Sequence, residues 1–244
     1  MKLQFLGAGH GVPTVDRFCS CAMLTCGGKH YLIDAGAPVV DLLIRNGVEL
    51  TDLRAVFITH RHGDHTAGLP HLLDLCNWCF RETEFDVYLT EQKTVDALCG
   101  IVLSRTDTFD TARLRLHTYG AGEIYRDENI TVTAIPTNHM DGKYPSFAFM
   151  VEGDGQRLFF TGDLQPGQPE DFPALAAVLP SQAVITEMAH FKWTALLPYV
   201  EACKTAQILV NHYNDTWSLE SIDALKNAVS MPVQKVHDGD VFEW

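Results

Sequence analysis

The sequence predicts an α/β fold in which two mixed β-sheets pack face to face and helices cover their outer faces. Short apolar runs of strand length alternate with segments of helical periodicity along the whole chain. The same mixture fills both halves of the 244 residues, and no linker, tandem repeat or low-complexity tract separates them. We therefore expect residues 1–244 to form a single domain.

The predicted elements follow one another in short segments, taken here in chain order. Apolar runs predict strands at 3–6, 22–26, 30–34, 55–59 and 87–89, and later at 130–135, 147–151, 157–161, 183–186 and 208–210. Helical periodicity covers 39–46, 69–76, 91–104, 195–204 and 219–229. Gly47 is the expected C-cap of the first helix, and Gly153-Asp154-Gly155 the turn of a hairpin. Residues 105–119 fit neither pattern.

The segment 60–65 concentrates potential metal ligands directly after a predicted buried strand. His60, His62, Asp64 and His65 lie within six residues. Gly63 allows the backbone to turn, so that the first two side chains face one ion and the last two face another. A histidine-rich polar turn is the alternative, but chance produces this pattern in only about one such chain in a thousand.

Three further metal-capable residues each follow a predicted strand. His139 comes after 130–135, Asp163 after 157–161, and His212 after 208–210. Alone, each residue also fits a hydrogen-bonded cap or a turn. Because strand ends meet at one edge of a sheet, we expect all three to join the 60–65 cluster at a metal centre.

Charge and cysteine content limit the partners and the compartment. The formal net charge is -13, and no basic cluster is present, which argues against a large nucleic-acid substrate. No apolar run reaches membrane-spanning length, and the first residues read as a strand, so we expect a cytoplasmic protein without membrane contact. The seven cysteines are predicted to be buried thiols, although a structural metal at Cys19, Cys21 and Cys26 stays open.

The order of these residues resembles the metallo-β-lactamase superfamily over essentially the whole chain. Within it, segments 7–14, 31–36, 68–70 and 145–147 are similar to the ribonuclease Z-like branch. The resemblance implies a four-layer αβ/βα sandwich with two metals between the sheets. It assigns His60, His62 and His139 to the first metal and Asp64, His65 and His212 to the second, with Asp163 bridging.

The types of the candidate ligands and the pair Glu187 and His190 indicate which metal and which reaction to expect. Nitrogen and carboxylate ligands without thiolate favour Zn²⁺, with Mn²⁺ or Fe²⁺ as alternatives. By the resemblance, histidine rather than glutamate at position 62 points to hydrolysis instead of the chemistry of di-iron redox members. By resemblance, His190 is a proton donor or oxyanion stabiliser, and Glu187 holds its tautomer. A strand-capping Glu187 and an exposed loop His190 are the structural alternative.

The ligand cluster predicts a dinuclear metallohydrolase in which Asp64 also orients the nucleophile, and the resemblance implies a small phosphodiester as its substrate. The rivals are a lactone, thioester or β-lactam hydrolase, a tRNA 3′-processing endonuclease, and a non-catalytic binding protein. Transfer-RNA-processing members carry a long exosite arm between the third metal histidine and the bridging aspartate, whereas here only 24 residues separate His139 and Asp163. Homodimers are common in the branch that this chain resembles, so a homodimer is one of the oligomeric states that the sequence leaves open.

Overall fold

Two mixed seven-stranded β-sheets dominate the computed structural model, which describes residues 1–244. Sheet 1 consists of β1 (Lys2–Gly7), β2 (Cys21–Cys26), β3 (Lys29–Ile33), β4 (Leu53–Phe57), β5 (Phe85–Leu89), β6 (Leu114–Thr118) and β14 (Val241–Glu243). Sheet 2 consists of β7 (Gly122–Arg126), β8 (Ile130–Thr137), β9 (Ser146–Gly153), β10 (Gln156–Phe160), β11 (Ala183–Thr186), β12 (Ile208–Val210) and β13 (Val233–Lys235). Each sheet therefore contains one half of the chain, apart from β14.

The helices lie in the connections between strands. They are α1 (Val39–Arg45), α2 (Gly63–Thr66), α3 (Leu69–Trp78), α4 (Gln92–Leu103), α5 (Trp193–Ala202) and α6 (Trp217–Ala228), with short 3-10 turns at Leu50–Asp52 and Ala174–Ala177. The C-cap of α1 is Asn46, one residue before the predicted Gly47, which follows at φ +68°. No helix has the length and apolar character needed to cross a membrane.

The two sheets share one plan of strand directions. In sheet 1 the order is β14-β1-β2-β3-β4-β5-β6, antiparallel up to β3 and parallel from β3 to β6. In sheet 2 the order is β13-β12-β11-β10-β9-β8-β7, parallel from β13 to β10 and antiparallel beyond. Strand β8 runs in the same direction as β10 because both are antiparallel to β9. Hence β8, β10, β11 and β12 all end at one edge.

Three apolar clusters separate the layers. Alternate residues of each strand face opposite ways, so Val56 packs under helices α1, α3 and α4 while Phe57 packs between the sheets. In sheet 2, Phe160 joins the cluster between the sheets and Phe159 joins the cluster under α5 and α6. The layers are helix, sheet, sheet and helix, so the predicted αβ/βα sandwich is confirmed.

Polar contacts tie the sheets together at several points. At the edge where the candidate site lies, Phe147 N–H donates to Thr59 O (3.0 Å) and His212 N–H donates to Ala8 O (2.8 Å). The first bond holds β9 against the segment after β4, and the second holds the loop after β12 against the loop after β1.

A second tie lies farther from the site. The buried Tyr31 of β3 donates its hydroxyl hydrogen to the Asp127 carboxylate after β7 (2.5 Å), and Tyr125 donates to the same carboxylate (2.9 Å). This pairing joins sheet 1 to sheet 2 through one charged acceptor.

The predicted strands all exist, with ends that move by a few residues. Strand β6 occupies the part of the chain that fits neither pattern. Strands β7, β13 and β14 are not predicted, because β7 is largely exposed and the other two have three residues each. These edge strands bury too little apolar surface to leave a periodic signal.

Candidate metal centre

Segment 60–65, which contains four of the predicted ligands, follows β4 and runs into the short helix α2. His60 lies in the bend after the strand, His62 is the N-cap of the helix in extended backbone, and the helix then places Asp64 and His65 on its first turn. His139, Asp163 and His212 lie in the loops after β8, β10 and β12, at the facing edge of sheet 2. All seven predicted ligands therefore meet between the two sheets.

Their ligand atoms form two groups. One contains His60, His62, His139 and Asp163, and the other contains Asp64, His65 and His212, with all ligand atoms of each group within 4.8 Å of one another. His60 and His62 thus lie in one group and Asp64 and His65 in the other, while a third set of Asp163, His190 and His212 overlaps both.

The Asp163 carboxylate lies between the groups and is buried. Its Oδ2 is 3.8 Å from His60 Nε2 and 3.7 Å from His139 Nε2 on one side. On the other side it is 3.5 Å from His65 Nε2 and 3.4 Å from His212 Nε2. A single oxygen is thus near histidines of both groups, which is the placement that a bridging ligand requires.

Distances within each group match the edges of a coordination polyhedron. His62 Nδ1 lies 2.9 Å from His60 Nε2 and 3.3 Å from His139 Nε2. In the second group the separations of Asp64 Oδ2, His65 Nε2 and His212 Nε2 are 3.1 to 3.3 Å. Zinc–nitrogen bonds of 2.0–2.1 Å in tetrahedral geometry place ligands about 3.3 Å apart. The donor set therefore fits divalent cations.

Hydrogen bonds on the far ring nitrogens turn three of these histidines toward the centre. His139 Nδ1–H donates to Leu164 O (3.0 Å), and His65 Nδ1–H donates to Asp34 Oδ2 (2.7 Å). The Thr59 hydroxyl donates to Asp34, so its oxygen accepts from His60 Nδ1–H at 3.1 Å. Each bond leaves the Nε2 lone pair free for a cation.

Cation binding requires neutral histidine and ionised carboxylate, and the pKa shifts favour these forms at four of the candidate ligands but not at His65. Burial, together with the neighbouring histidines, lowers the pKa of His60 and of His62 below the usual histidine value. Burial would raise the pKa of Asp64 and Asp163, but the surrounding histidines outweigh it and hold both pKa values below the usual range. Burial lowers the pKa of His65, but nearby carboxylates outweigh it and raise that pKa.

Glu187 and His190 lie beside the metal centre, in the loop after β11. The buried Glu187 carboxylate accepts hydrogen bonds from the backbone N–H groups of Leu164, Ala189 and His190. It also accepts from His190 Nδ1–H at 2.7 Å, which leaves Nε2 of that ring unpaired. Burial opposes the charged form of His190, but Glu187 outweighs it and raises its pKa to about 9. The Glu187 carboxylate thus favours the protonated form of His190, whose side chain is 27% exposed.

The loop after β1 covers the second group. A Cβ added at Gly11 would lie 3.5 Å from Asp64 Oδ2, and the His10 ring centroid lies 6.2 Å from that of His212. Burial, followed by the charges of His212 and Arg17, lowers the pKa of His10. A neutral His10 is therefore available as a donor or acceptor at this side of the centre.

Two supporting carboxylates are absent from the sequence prediction. Asp34 follows β3 at φ +61° and accepts from Thr59 N–H, the Thr59 hydroxyl and His65. Asp171 accepts from Asn138 N–H (2.6 Å) and from Gln165 N–H (3.0 Å), so it joins two ligand loops. A carboxylate directly after a strand is the signal that would have found Asp34. No local pattern marks Asp171.

The three clustered cysteines form no metal-binding group, although Cys19 lies near Asp64 and His65. Cys19, Cys21 and Cys26 are buried free thiols on or beside β2. None belongs to a group of side chains spaced for metal binding. Their burial agrees with the prediction of small core side chains.

Comparison with known proteins identifies the family. The sequence model of a family described as anti-Pycsar protein Apyc1 matches residues 1–230. The chain belongs to the Apyc1 family.

Curated relatives named ribonuclease Z also match the chain. Ribonuclease Z of Pseudomonas putida is 38% identical over 152 residues, which are 62% of this chain and 46% of that protein. This member of the Apyc1 family spans about half the length of the curated relatives it matches. The predicted resemblance to the ribonuclease Z-like branch of the metallo-β-lactamase superfamily is confirmed.

Solved structures show the same fold. The metallo-β-lactamase fold protein YhfI from Bacillus subtilis superposes with a TM-score of 0.81 at 16% identity, over 99% of this chain and 98% of that one. The short form of human tRNase Z has a TM-score of 0.75 at 21% identity, over 100% and 99% of the two chains. The histidine–aspartate cluster within this fold indicates divalent metal binding.

Proposed function

We propose that this Apyc1-family chain is a dinuclear metallohydrolase that cleaves a small phosphodiester. One observation carries the proposal: two groups of ligands converge on a shared, buried Asp163, with the Glu187–His190 pair beside them. The likeness to ribonuclease Z supports phosphodiester chemistry over hydrolysis of lactones, thioesters or β-lactams.

The ligands divide as their spacing suggests. His60, His62 and His139 would hold the first cation, Asp64, His65 and His212 would hold the second, and Asp163 would contribute to both. The imidazole and carboxylate donors support Zn²⁺ in both positions, with Mn²⁺ or Fe²⁺ as alternatives. Elemental analysis of the purified protein tests both the identity and the count of two ions per chain.

The chemistry is in-line displacement at phosphorus. Bound divalent cations supply Lewis acidity, which activates water and offsets negative charge on the phosphate. Asp64 accepts a hydrogen bond from the attacking water and orients it. As the bond from phosphorus to the leaving oxygen breaks, His190 Nε2 donates its proton to that oxygen. Glu187 keeps the His190 ring in place and favours its protonated form.

Charge and chain connectivity support a small substrate over tRNA. The net charge is -13, which opposes binding to an extended phosphate backbone. Between His139 and Asp163 the chain forms β9, β10 and their tight turn, which leaves no room in that segment for an exosite arm.

Parallel assays test this function directly. The metal-loaded protein is given bis(p-nitrophenyl) phosphate, a panel of lactones and thioesters, and a precursor tRNA. We expect turnover of the phosphodiester with little or none of the others. Turnover of acyl substrates alone would refute the proposal, and efficient tRNA cleavage would refute its restriction to small substrates.

We also propose that residues 1–244 act as one domain, that the protein works in the cytoplasm, and that it forms a homodimer. The interleaved contacts of β1, β14 and the two sheets support one domain. Seven free thiols support a reducing compartment. Light scattering coupled to size-exclusion chromatography measures the mass of the particle and tests the dimer.

A further inference from the structure

A single carboxylate lies behind the loop that carries His139. Asp171 Oδ2 accepts from Asn138 N–H at 2.6 Å, and both oxygens of Asp171 accept from Gln165 N–H at 3.0 Å. Asn138 directly precedes His139, and Gln165 comes two residues after Asp163. The same side chain therefore holds the ligand loop after β8 against the ligand loop after β10.

Asp171 also reaches the His139 ring through one peptide unit. The carbonyl of that unit is Leu164 O, which accepts from His139 Nδ1–H at 3.0 Å. Its N–H belongs to Gln165 and donates to Asp171. A charged acceptor on the N–H shifts electron density onto the carbonyl oxygen, which becomes a stronger acceptor. The bond from His139 Nδ1–H is strengthened, and Nε2 of the ring becomes a better electron donor to a cation.

Two other candidate ligands have a carboxylate in the equivalent position. Asp34 accepts directly from His65 Nδ1–H. It also accepts from the Thr59 hydroxyl, which in turn accepts from His60 Nδ1–H. An acidic group thus lies one or two hydrogen bonds behind each of these rings. Asp171 occupies the same place behind His139, with a peptide unit where His60 has a hydroxyl.

The backbone of Asp171 is held by packing that does not involve the metal centre. The next residue, Phe172, is buried in the cluster under α5 and α6, and its ring stacks on Tyr199 with 5.7 Å between the ring centroids. Phe172 N–H also donates to Pro169 O at 3.0 Å. The carboxylate is therefore presented to the two ligand loops from a segment that the core fixes.

We infer that Asp171 is a positioning residue for the first cation and acts on His139 through the peptide unit of Leu164 and Gln165. The inference rests on the proposed function, since it uses that proposal's division of the ligands between two cations. Asp171 fixes the orientation of the His139 ring and keeps its proton on Nδ1. Loss of Asp171 should therefore weaken binding of one cation and leave the other nearly unchanged.

Affinity for Zn²⁺ tests this role without any turnover. Competition with a chelator gives an affinity for each of the two ions, and His62→Ala identifies the first ion as the one that it removes. Asp171→Ala removes every bond of the carboxylate and should weaken the first ion by about 10- to 100-fold. Asp171→Asn keeps one oxygen acceptor and loses the charge. It should weaken the same ion by about three- to tenfold, since charged hydrogen bonds are about twice as strong as neutral ones.

Two further readouts separate positioning from a general loss of structure. Long-range ¹H–¹⁵N NMR of the metal-free protein should show the His139 proton on Nδ1, and Asp171→Ala should move part of it to Nε2. Glu170→Gln removes a charge from the exposed neighbouring side chain and should change neither the zinc affinities nor the tautomer.

The Asp171→Asn variant keeps the test decisive if Asp171→Ala does not fold. Unchanged zinc affinity in Asp171→Asn, or equal weakening of both ions in Asp171→Ala, would overturn the inference. The expected pattern of zinc loss without hydrolysis of any phosphodiester would refute the catalytic proposal and leave the role of Asp171 intact.

Discussion

Two substitutions of Asp34, by asparagine and by alanine, separate its effect on metal binding from its effect on folding. Its carboxylate accepts three kinds of hydrogen bond, from Thr59 N–H, from the Thr59 hydroxyl and from His65 Nδ1–H. In Asp34→Asn the amide oxygen still accepts from Thr59, but the amide NH₂ cannot accept from His65. The His65 proton then moves to Nε2, the atom that faces Asp64 and His212. We expect affinity for the second cation to fall by about 10- to 100-fold.

The stability cost distinguishes this variant from Asp34→Ala. Alanine leaves the buried Thr59 N–H without an acceptor, which costs about 1–3 kcal/mol. It also places a Cβ-bearing residue at φ +61° without the local hydrogen bonds that Asp and Asn form there, at about 1 kcal/mol more. Asparagine avoids both costs, so Asp34→Ala should be at least about 2 kcal/mol less stable than Asp34→Asn.

Two measurements check these numbers. Urea unfolding of the metal-free protein gives the free energy of unfolding, and competition with a chelator gives the affinity for each cation. Asp41→Asn, an exposed substitution on α1, is the matched control and should change neither quantity. The reasoning is wrong if Asp34→Asn binds both cations as tightly as the unmodified protein, or if it is as unstable as Asp34→Ala.

Three further predictions use other residues. His62→Ala should abolish phosphodiester hydrolysis and lower the bound metal in elemental analysis; an unchanged metal content would exclude it as a ligand. His190→Ala should lower kcat on an alkyl phosphodiester by about 10²- to 10⁴-fold at near-normal metal content, and much less on a p-nitrophenyl ester, whose leaving group departs as an anion. Metal loss equal to that of His62→Ala would contradict its role as proton donor. Burial would raise the pKa of Asp127, but the hydrogen bond from Tyr31 and two backbone N–H groups outweigh it and lower that pKa below 3.8. The ionised carboxylate therefore stabilises the fold above the unfolded pKa and ceases to do so as pH falls through the folded value. Unfolding by urea from about pH 6 to about pH 3 should show a smaller acid-induced loss in Asp127→Asn, and equal losses would refute this.

The clustering of the candidate metal ligands was predictable because each has a local signal. His60, His62, Asp64 and His65 are neighbours in sequence, and the strand before them is apolar. The later ligands each follow a strand whose apolar run is readable, such as Ile208–Val210 before His212. The physical link is that these strands run in the same direction and end at one edge. Local periodicity therefore carried information about a contact between distant residues.

The supporting contacts were not predictable, because nothing near them in sequence reveals the partner. Asp171 accepts from Asn138, which lies 33 residues earlier, and Tyr31 donates to Asp127 across 96 residues. Each carboxylate taken alone is compatible with an ordinary turn or exposed loop. Only the packing of one sheet on the other determines which donors they meet. Long-range polar pairing is thus the part of the site that periodicity leaves undetermined.

The origin of the ligands links metal binding to the packing of the sheets. His60 and His62 come from sheet 1, whereas His139, in the same group, comes from sheet 2; the second group likewise combines His65 with His212. Neither group is complete unless the two sheets are in contact. A cation that binds both sides therefore stabilises the packed state over the unfolded chain in proportion to its affinity. Because Asp163 lies near both groups, the contact between sheets that completes one group also brings the other group together. The fold thus forms both halves of the centre together.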